Sequence, residues 1–496
     1  MNYPGSRRLI KNWIIAIILA LTAGILKEGA AQENDKYGND FFATLDFHKV
    51  ILNKNQSKPD KYPNTISREQ ALDDFRYAAY FLKYGYGGYD YYEGKNGFLW
   101  DHYFTSVIDS INTKETWKVQ DYAELLSNLT KNNIEDGHFH ISYGKDKRYQ
   151  NYSRWNPYRA GEKIDTANCS LDDKGEILKE QDYLSDGKIV KTDMVVLKKK
   201  ADYITCKKPD GGEERIALTP IQVSTQEKSG LFEEKEIQKD VYYISLSGFN
   251  PGHPDEMNAF IDSAKTLSNY PYVVLDLRNN SGGSDPIFFR WLENIEAGYL
   301  VYPLMKTVRS LASAILDYNS KFNRLERVKK NTKNKKEINS LKKRVDKLGK
   351  TMRTYLEQKD YYSKTFEQPG TSARNIPLGN KTYDGKIFIL VNEECYSTCE
   401  LVTAMAKQFP NIVTVGVNTG GMNSFGDISP VFLPNSRLGY YLPFKAFYLG
   451  ENGNMAEGRG VMPTVWSEGN ILKEILSFIE NSKHDSGRKK VQEFRS

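Results

Sequence analysis

The sequence predicts an α/β fold, and two strand-to-helix crossings with further short strands carry that prediction. The first crossing is YVVLDLRNNSGGSDPIFF, Tyr272 to Phe289. It opens on the apolar run Val273, Val274 and Leu275, the pattern of a strand buried on both faces. It then turns through Arg278, two asparagines and the pair Gly282 and Gly283, and Pro286 starts a helix that continues with Ile287, Phe288 and Phe289. The second crossing runs from Lys386-IFILV-Asn392 through EECYSTCE into the helical pattern LVTAMAKQF. Strands at Ile412–Val417 and from Gly439 (GYYLPF), and a helix at Ile471–Ile479, complete the pattern.

A parallel sheet with such crossings presents backbone N–H groups at the carboxyl ends of its strands. Gly282 and Gly283 let another group approach that main chain closely. Ser397 sits where the second strand hands over to its helix, with the helix dipole behind it and free N–H groups beside it. A serine there is equally the standard helix N-cap. The chain holds six histidines, among them His138 and His140 in the run Asp136-Gly137-His138-Phe139-His140. Two residues apart on an extended segment, they face the same side, so chemistry alone does not choose between them as a base.

Taken together these stretches resemble the tricorn and carboxyl-terminal processing serine peptidases, a clan with a crotonase-like (ClpP-like) α/β core. The clan motif D-x-R-x-N-x-G-G is matched by Asp276, Arg278, Asn280, Gly282 and Gly283. Its S-A-x-E is matched by Ser397-Thr398-Cys399-Glu400. G-x-x-T-x-G falls on Gly416, Thr419 and Gly421, and E-G-x-G-V-x-P on Glu457 to Pro463. D-G-H-T falls on Asp136 to Phe139. The lysine that one subclass places 25 residues after the serine falls here on Met422, which cannot act as a base. The resemblance therefore implies the histidine subclass, with Ser397 as nucleophile, His138 as general base and Glu457 holding the imidazole. It also implies an oxyanion hole from the N–H of Thr398 and of Gly283 or Gly282. Some tricorn-like enzymes carry a serine just before the histidine as a bridge to the glutamate, and Gly137 stands there instead. The implied partner is a peptide or protein substrate. The contrasting class is a catalytically inactive peptide- or ligand-binding protein on the same fold.

The rest of the chain divides as follows. Residues 1–31 read as a signal peptide: Arg7, Arg8 and Lys11, an apolar run to Leu26, then Gly29-Ala30-Ala31 before the cut. The mature protein is expected to be periplasmic or extracellular and not an integral membrane protein. Residues 32–148 form an N-terminal helical region, with a polar, poorly structured lead-in to about 65. A capping box of Ser67 and Gln70 opens its first helix. The stretch YGYGGYDYYEG from Tyr84 reads as a surface loop with partly packed aromatics, or as the lining of a cleft. Residues 149–240 read as a β-rich subdomain, where the clan often carries a peptide-binding PDZ module; no G-L-x-x-G-D signature is present. The chain has four cysteines. The expected disulfide is Cys169–Cys206, with Cys395 and Cys399 as small packing residues. The peptidase core is expected at 241–302 and 359–482, and a disordered charged tail at 483–496.

Between the core segments, residues 303–358 carry two apolar seams. One holds Val308, Leu311, Ile315, Tyr318, Phe322 and Leu325; the other Ile338, Leu341, Val345, Leu348, Met352 and Tyr355. This is the pattern of a protruding antiparallel coiled-coil hairpin. From Lys306 to Arg353 the chain holds 16 Lys/Arg and 4 Asp/Glu, a net +12, against +6 for the whole chain. The hairpin is therefore a basic arm for a partner contact or a solvated helical pair. Nucleic acid is not an expected partner. No Cys/His spacing suggests a metal, and no cofactor is expected.

Overall fold

A computed structural model describes residues 37–484 apart from 38, 48–49, 51–58, 60, 145–146, 166–168, 170, 172–174, 208–210, 225–229, 332–334, 369–373, 381 and 449–456. The expected signal peptide and tail residues 485–496 lie outside the described residues. The elements that place the site are, in chain order, α1 (Arg68–Gly85), α2 (Val119–Asn132), β1 (His140–Tyr143), β2 (Val241–Leu246), β3 (Tyr272–Asp276), α3 (Pro286–Leu292), α4 (Leu311–Asn331), α5 (Lys335–Glu357), β4 (Lys386–Val391), α6 (Thr398–Ala406), β5 (Ile412–Gly416), β6 (Phe425–Phe432), β7 (Gly439–Tyr448), β8 (Val465–Ser467) and α7 (Ile471–His484).

The apolar runs do form buried strands. β2, β3, β4, β5 and β8 pair in that order, all parallel, at the centre of an 11-stranded sheet. Every residue of β2, β4 and β5 is buried, because helices cover both faces. On one face Phe260, Phe288, Trp291, Leu292, Val402 and Met405 pack together. On the other, Ile471, Ile475 and Ile479 of α7 pack against Val274, Phe388 and Val415. The β-rich segment is not a separate sheet: strand Gly175–Ser185 pairs in parallel with β8, so its strands continue the core sheet.

A second sheet places β7 between β1 and Leu304–Arg309, with β6 beside β7. Helices α1 and α2 cover it. Ser67 and Gln70 form the expected box: Gln70 N donates to Ser67 Oγ at 3.3 Å and Ser67 N to Gln70 Oε1 at 2.9 Å. Two N-terminal expectations change. Phe42 and Phe47 of the lead-in are buried in the core of this layer. The Gly/Tyr stretch is not a surface loop: Tyr84, Tyr86 and Tyr92 are buried, Tyr84 against Phe42 and Tyr80, and Tyr86 and Tyr92 against Phe425, with Tyr86 also on Phe139.

Helices α4 and α5 pack against one another through Leu325, Val328, Leu341 and Val345, late residues of one against early residues of the other. The hairpin does not simply protrude. Leu311, Ala312, Ile315 and Leu316 belong to the N-terminal core, and Ser310 Oγ donates to Tyr84 O. A helix whose first turns are this apolar on the inward side gains more from burial than from projecting into water.

Cys169 and Cys206 are bonded as expected. Cys395 and Cys399 are bonded too, against the expectation that they only pack. The turn between them brings their Cα atoms to 5.4 Å, well within disulfide reach.

Candidate active site

The loop after β3 braces itself. Arg278 bonds Asp276 through Nε at 3.0 Å and through a terminal nitrogen at 2.6 Å, with both side chains buried. Asn280 Nδ2 donates to Leu246 O at 2.9 Å, and its Oδ1 accepts from Gly282 N at 2.8 Å. The next residue, Gly283, has φ 136°, and a Cβ there would lie 2.1 Å from Phe249 O. At Gly282 a Cβ would lie 2.7 Å from Tyr396 O and 2.9 Å from Thr398 N. These contacts are why this turn requires glycines. The N–H of Gly282 is engaged by Asn280. Among the described residues those of Gly283 and Thr398 carry no main-chain bond, while Thr398 Oγ1 ties the two loops by donating to Gly283 O at 2.9 Å.

Because β3 and β4 are neighbours, the loop after β4 arrives beside this one, and Tyr396 N donates to Asn280 O at 3.0 Å. Ser397 follows at φ 55°, ψ −118°, an uncommon conformation for a residue with a side chain. Such a strand-to-helix turn thrusts the hydroxyl outward. Glu400, fully buried, holds the turn. Its Oε2 accepts from Ser397 N at 3.1 Å; its Oε1 accepts from Thr419 Oγ1 at 2.6 Å, Gly421 N at 2.6 Å and Asn423 Nδ2 at 3.1 Å. Burial pushes this carboxyl up to about 7 despite those donors. The Cys395–Cys399 bond closes over the same turn.

His138 comes from the other layer, ahead of β1. Asp136 Oδ1 accepts from His138 N at 2.7 Å and Phe139 N at 3.0 Å, while Tyr86 donates its hydroxyl to Asp136 Oδ2 at 2.7 Å. Glu457 grips the same segment: Oε1 accepts from Gly137 N at 2.7 Å, and Oε2 from Asn423 N at 3.2 Å and Ser424 N at 2.9 Å. It thus bonds main chain beside the histidine; His138 Nδ1 is buried without a hydrogen-bond partner. Burial and the nearby Asp136 raise Glu457 well above the usual carboxylate range. Burial lowers His138 to about 4, which leaves its imidazole neutral at neutral pH. The two departures from the clan pattern touch: a Cβ at Gly137 would lie 2.3 Å from Met422 Cγ.

His140 goes elsewhere. Its ring stacks on Tyr441 at 4.2 Å and its Nδ1 meets His138 O at 3.1 Å. A cavity of about 160 Å³ is lined by Ser397, Thr398, Gly283 and His138, with Asn423 and Phe425, but not by His140 or Glu457. Lys445 of β7 also reaches it, ion-paired with Asp427 at 2.6 Å. The geometry therefore gathers a hydroxyl on a strained turn, a neutral imidazole and two unengaged N–H donors. Tyr86, Asn423 and Lys445 were not singled out from sequence. They come from three separate segments, and no local pattern marks them.

Among the described residues no group of three or more His, Cys, Asp or Glu could hold a metal ion, and no helix is long and apolar enough to cross a membrane. No curated protein sequence matches this chain. Among solved structures the chain is similar to mature CPAF in complex with lactacystin, at 14% identity and TM-score 0.45, covering 86% of this chain and 99% of that one. It is similar to the photosystem II D1 C-terminal processing protease at 12% identity and TM-score 0.37, covering 81% and 93%. It is similar to the tricorn protease at 13% identity and TM-score 0.33, covering 86% and 37%. The model of peptidase family S41 matches residues 240–466. By this match, residues 240–466 carry a peptidase family S41 domain.

Proposed function

We propose that this chain is an exported serine peptidase in which Ser397 attacks the peptide carbonyl and His138 takes its proton. A serine hydroxyl needs such a base to become a nucleophile. The N–H groups of Thr398 and Gly283 stabilise the oxyanion; each such donor contributes roughly 3 kcal/mol to the transition state. Glu457 acts through the main chain at Gly137 to position His138, in the place where related enzymes use a serine bridge. Export is favoured by the signal-peptide pattern and by two disulfides, which persist in oxidising compartments.

The observation that carries this reading is the shared cavity of Ser397, Thr398, Gly283 and His138. Incubation with a fluorophosphonate and with a peptide library tests it. The wild-type chain should label on Ser397 and cleave peptides, and Ser397→Ala should do neither while keeping its melting temperature within a few degrees. Cleavage by Ser397→Ala would refute the assignment. Peptide binding without labelling or cleavage would favour the inactive binding protein.

A further inference from the structure

Beside the candidate site lies a larger cavity of about 670 Å³ that shares Gly283, Asp285, Asp427 and Lys445 with it. Its outer wall is the helical hairpin. Lys321, Arg324 and Arg327, three residues apart on α4, and Arg344 on α5 all line it. With Lys445 that makes five basic side chains against two carboxylates, Asp285 and Asp427. Asp427 is committed to Lys445 at 2.6 Å, with Lys321 at 4.0 Å. Asp285 accepts the Tyr302 hydroxyl at 2.8 Å, and burial raises it toward its neutral form. Arg324 gives one nitrogen to Glu337 at 3.2 Å, but its Nε is buried without a partner. Arg327 and Arg344 are exposed and make no ion pair among the described residues. A solvated helical pair would scatter such charges around its surface. Here four cations of the hairpin converge on a cavity that opens onto Gly283, the proposed oxyanion donor.

We propose that this cavity receives the flanking part of a peptide substrate that carries carboxylates, and that the hairpin thereby selects acidic peptides. Guanidinium groups with unused donors suit carboxylates, and a cavity of one sign concentrates the opposite charge. The proposal rests on the peptidase reading above. A peptide is favoured over an anionic polymer because the cations line a pocket continuous with the candidate site.

The test uses the full chain with Ser397→Ala and one fluorescent peptide scaffold. The peptide carries three Glu or three Gln, each with a free or an amidated C-terminus, and binding is read by anisotropy. Glu peptides should bind about tenfold more tightly than Gln peptides. High salt should erase the difference, as should Arg327→Glu with Arg344→Glu. A difference that follows the free C-terminus instead would identify that end as the carboxylate held. Equal affinity of all four peptides would overturn the proposal, and heparin binding far more tightly than any peptide would overturn it in favour of an anionic polymer. Should the double variant melt early, the Glu/Gln pair and its salt dependence carry the test. Wild-type cleavage of the same peptides separates the two readings. Cleavage blind to charge sinks the acidic preference alone; acidic binding without cleavage sinks the peptidase reading alone.

Discussion

At the scale of single residues, the proposed base and its surroundings decide how the site responds to pH. An ordinary histidine base gives activity that falls as pH drops through roughly 6 to 7. Burial here lowers His138 to about 4, so its neutral, proton-accepting form persists to lower pH. The acid limb of kcat/KM assigned to His138 should therefore lie near pH 4; a limb near 6.5 that disappears in no other variant would show the imidazole is solvated. His138→Ala should abolish hydrolysis, whereas His140→Ala, outside the cavity, should lose stability before chemistry. The reverse pattern would move the base to His140. Gly137 and Met422 form a linked pair, since the methionine occupies the space of any side chain at 137. Gly137→Ser should destabilise the protein by about 1–3 kcal/mol, and Met422→Ala should restore part of that loss. Additive losses in thermal melts would show the two positions are independent.

At the scale of elements, the turn from β4 into α6 and the hairpin each behave differently from a plain reading of their patterns. The Ser397 turn is held by Glu400 and by the Cys395–Cys399 bond. Closing so short a loop contributes about 2 kcal/mol in the chain-entropy picture, and its position gives it a larger bearing on Ser397. Cys395→Ser with Cys399→Ser should slow turnover about tenfold or more with a modest fall in melting temperature. Unchanged kcat would show that Glu400 alone holds the turn. In the hairpin, the first turns of α4 are core and the tip is not. Deleting residues 305–357 should unfold the protein, because Leu311, Ile315 and Leu316 vanish from the N-terminal core; each buried leucine or isoleucine contributes roughly 2–5 kcal/mol. Replacing only the tip with a short linker should leave a folded chain, seen as a single cooperative melt. A fully folded 305–357 deletion would contradict this packing.

At the scale of the whole molecule, the site exists only where two layers meet. Ser397 and Gly283 stand on the parallel sheet, while His138 arrives from the helical layer, held by Asp136, Tyr86 and Glu457. Burial of carboxyl groups, at that seam and within the N-terminal layer, also shapes stability. Asp74 and Asp136 are raised to about 6 and Glu400 to about 7. A carboxyl raised in the fold binds protons more tightly folded than unfolded, so its contribution is fullest at low pH and is lost as pH rises through the folded value. His138 and His140, lowered to about 4 and 3, act oppositely and weaken the fold below roughly 6.5. The melting temperature should therefore climb as pH is lowered from 8 to about 6.5 and then level off. A fall over that window, by calorimetry or dye melting, would show these carboxylates are not buried in the fold.

The α/β class, the parallel strands, the glycine turn and Ser397 were all legible in the sequence. Each rests on a local pattern: β-branched runs, adjacent glycines, and a serine between strand and helix. The Ser67 capping box was legible for the same reason, whereas Val308 of the first seam lies on the strand Leu304–Arg309 and not in the hairpin. Tertiary structure decided what depends on residues far apart. It chose Gly283 over Gly282 as the unengaged donor, because Asn280 takes the other N–H. It placed His138 on the cavity that Ser397 lines and stacked His140 on Tyr441. It joined Cys395 to Cys399, set Met422 against Gly137, and buried the tyrosine stretch. It also gathered Lys321, Arg324, Arg327 and Arg344 along one cavity. Composition records that the hairpin is basic, but charge has no direction until packing gives its helices a face.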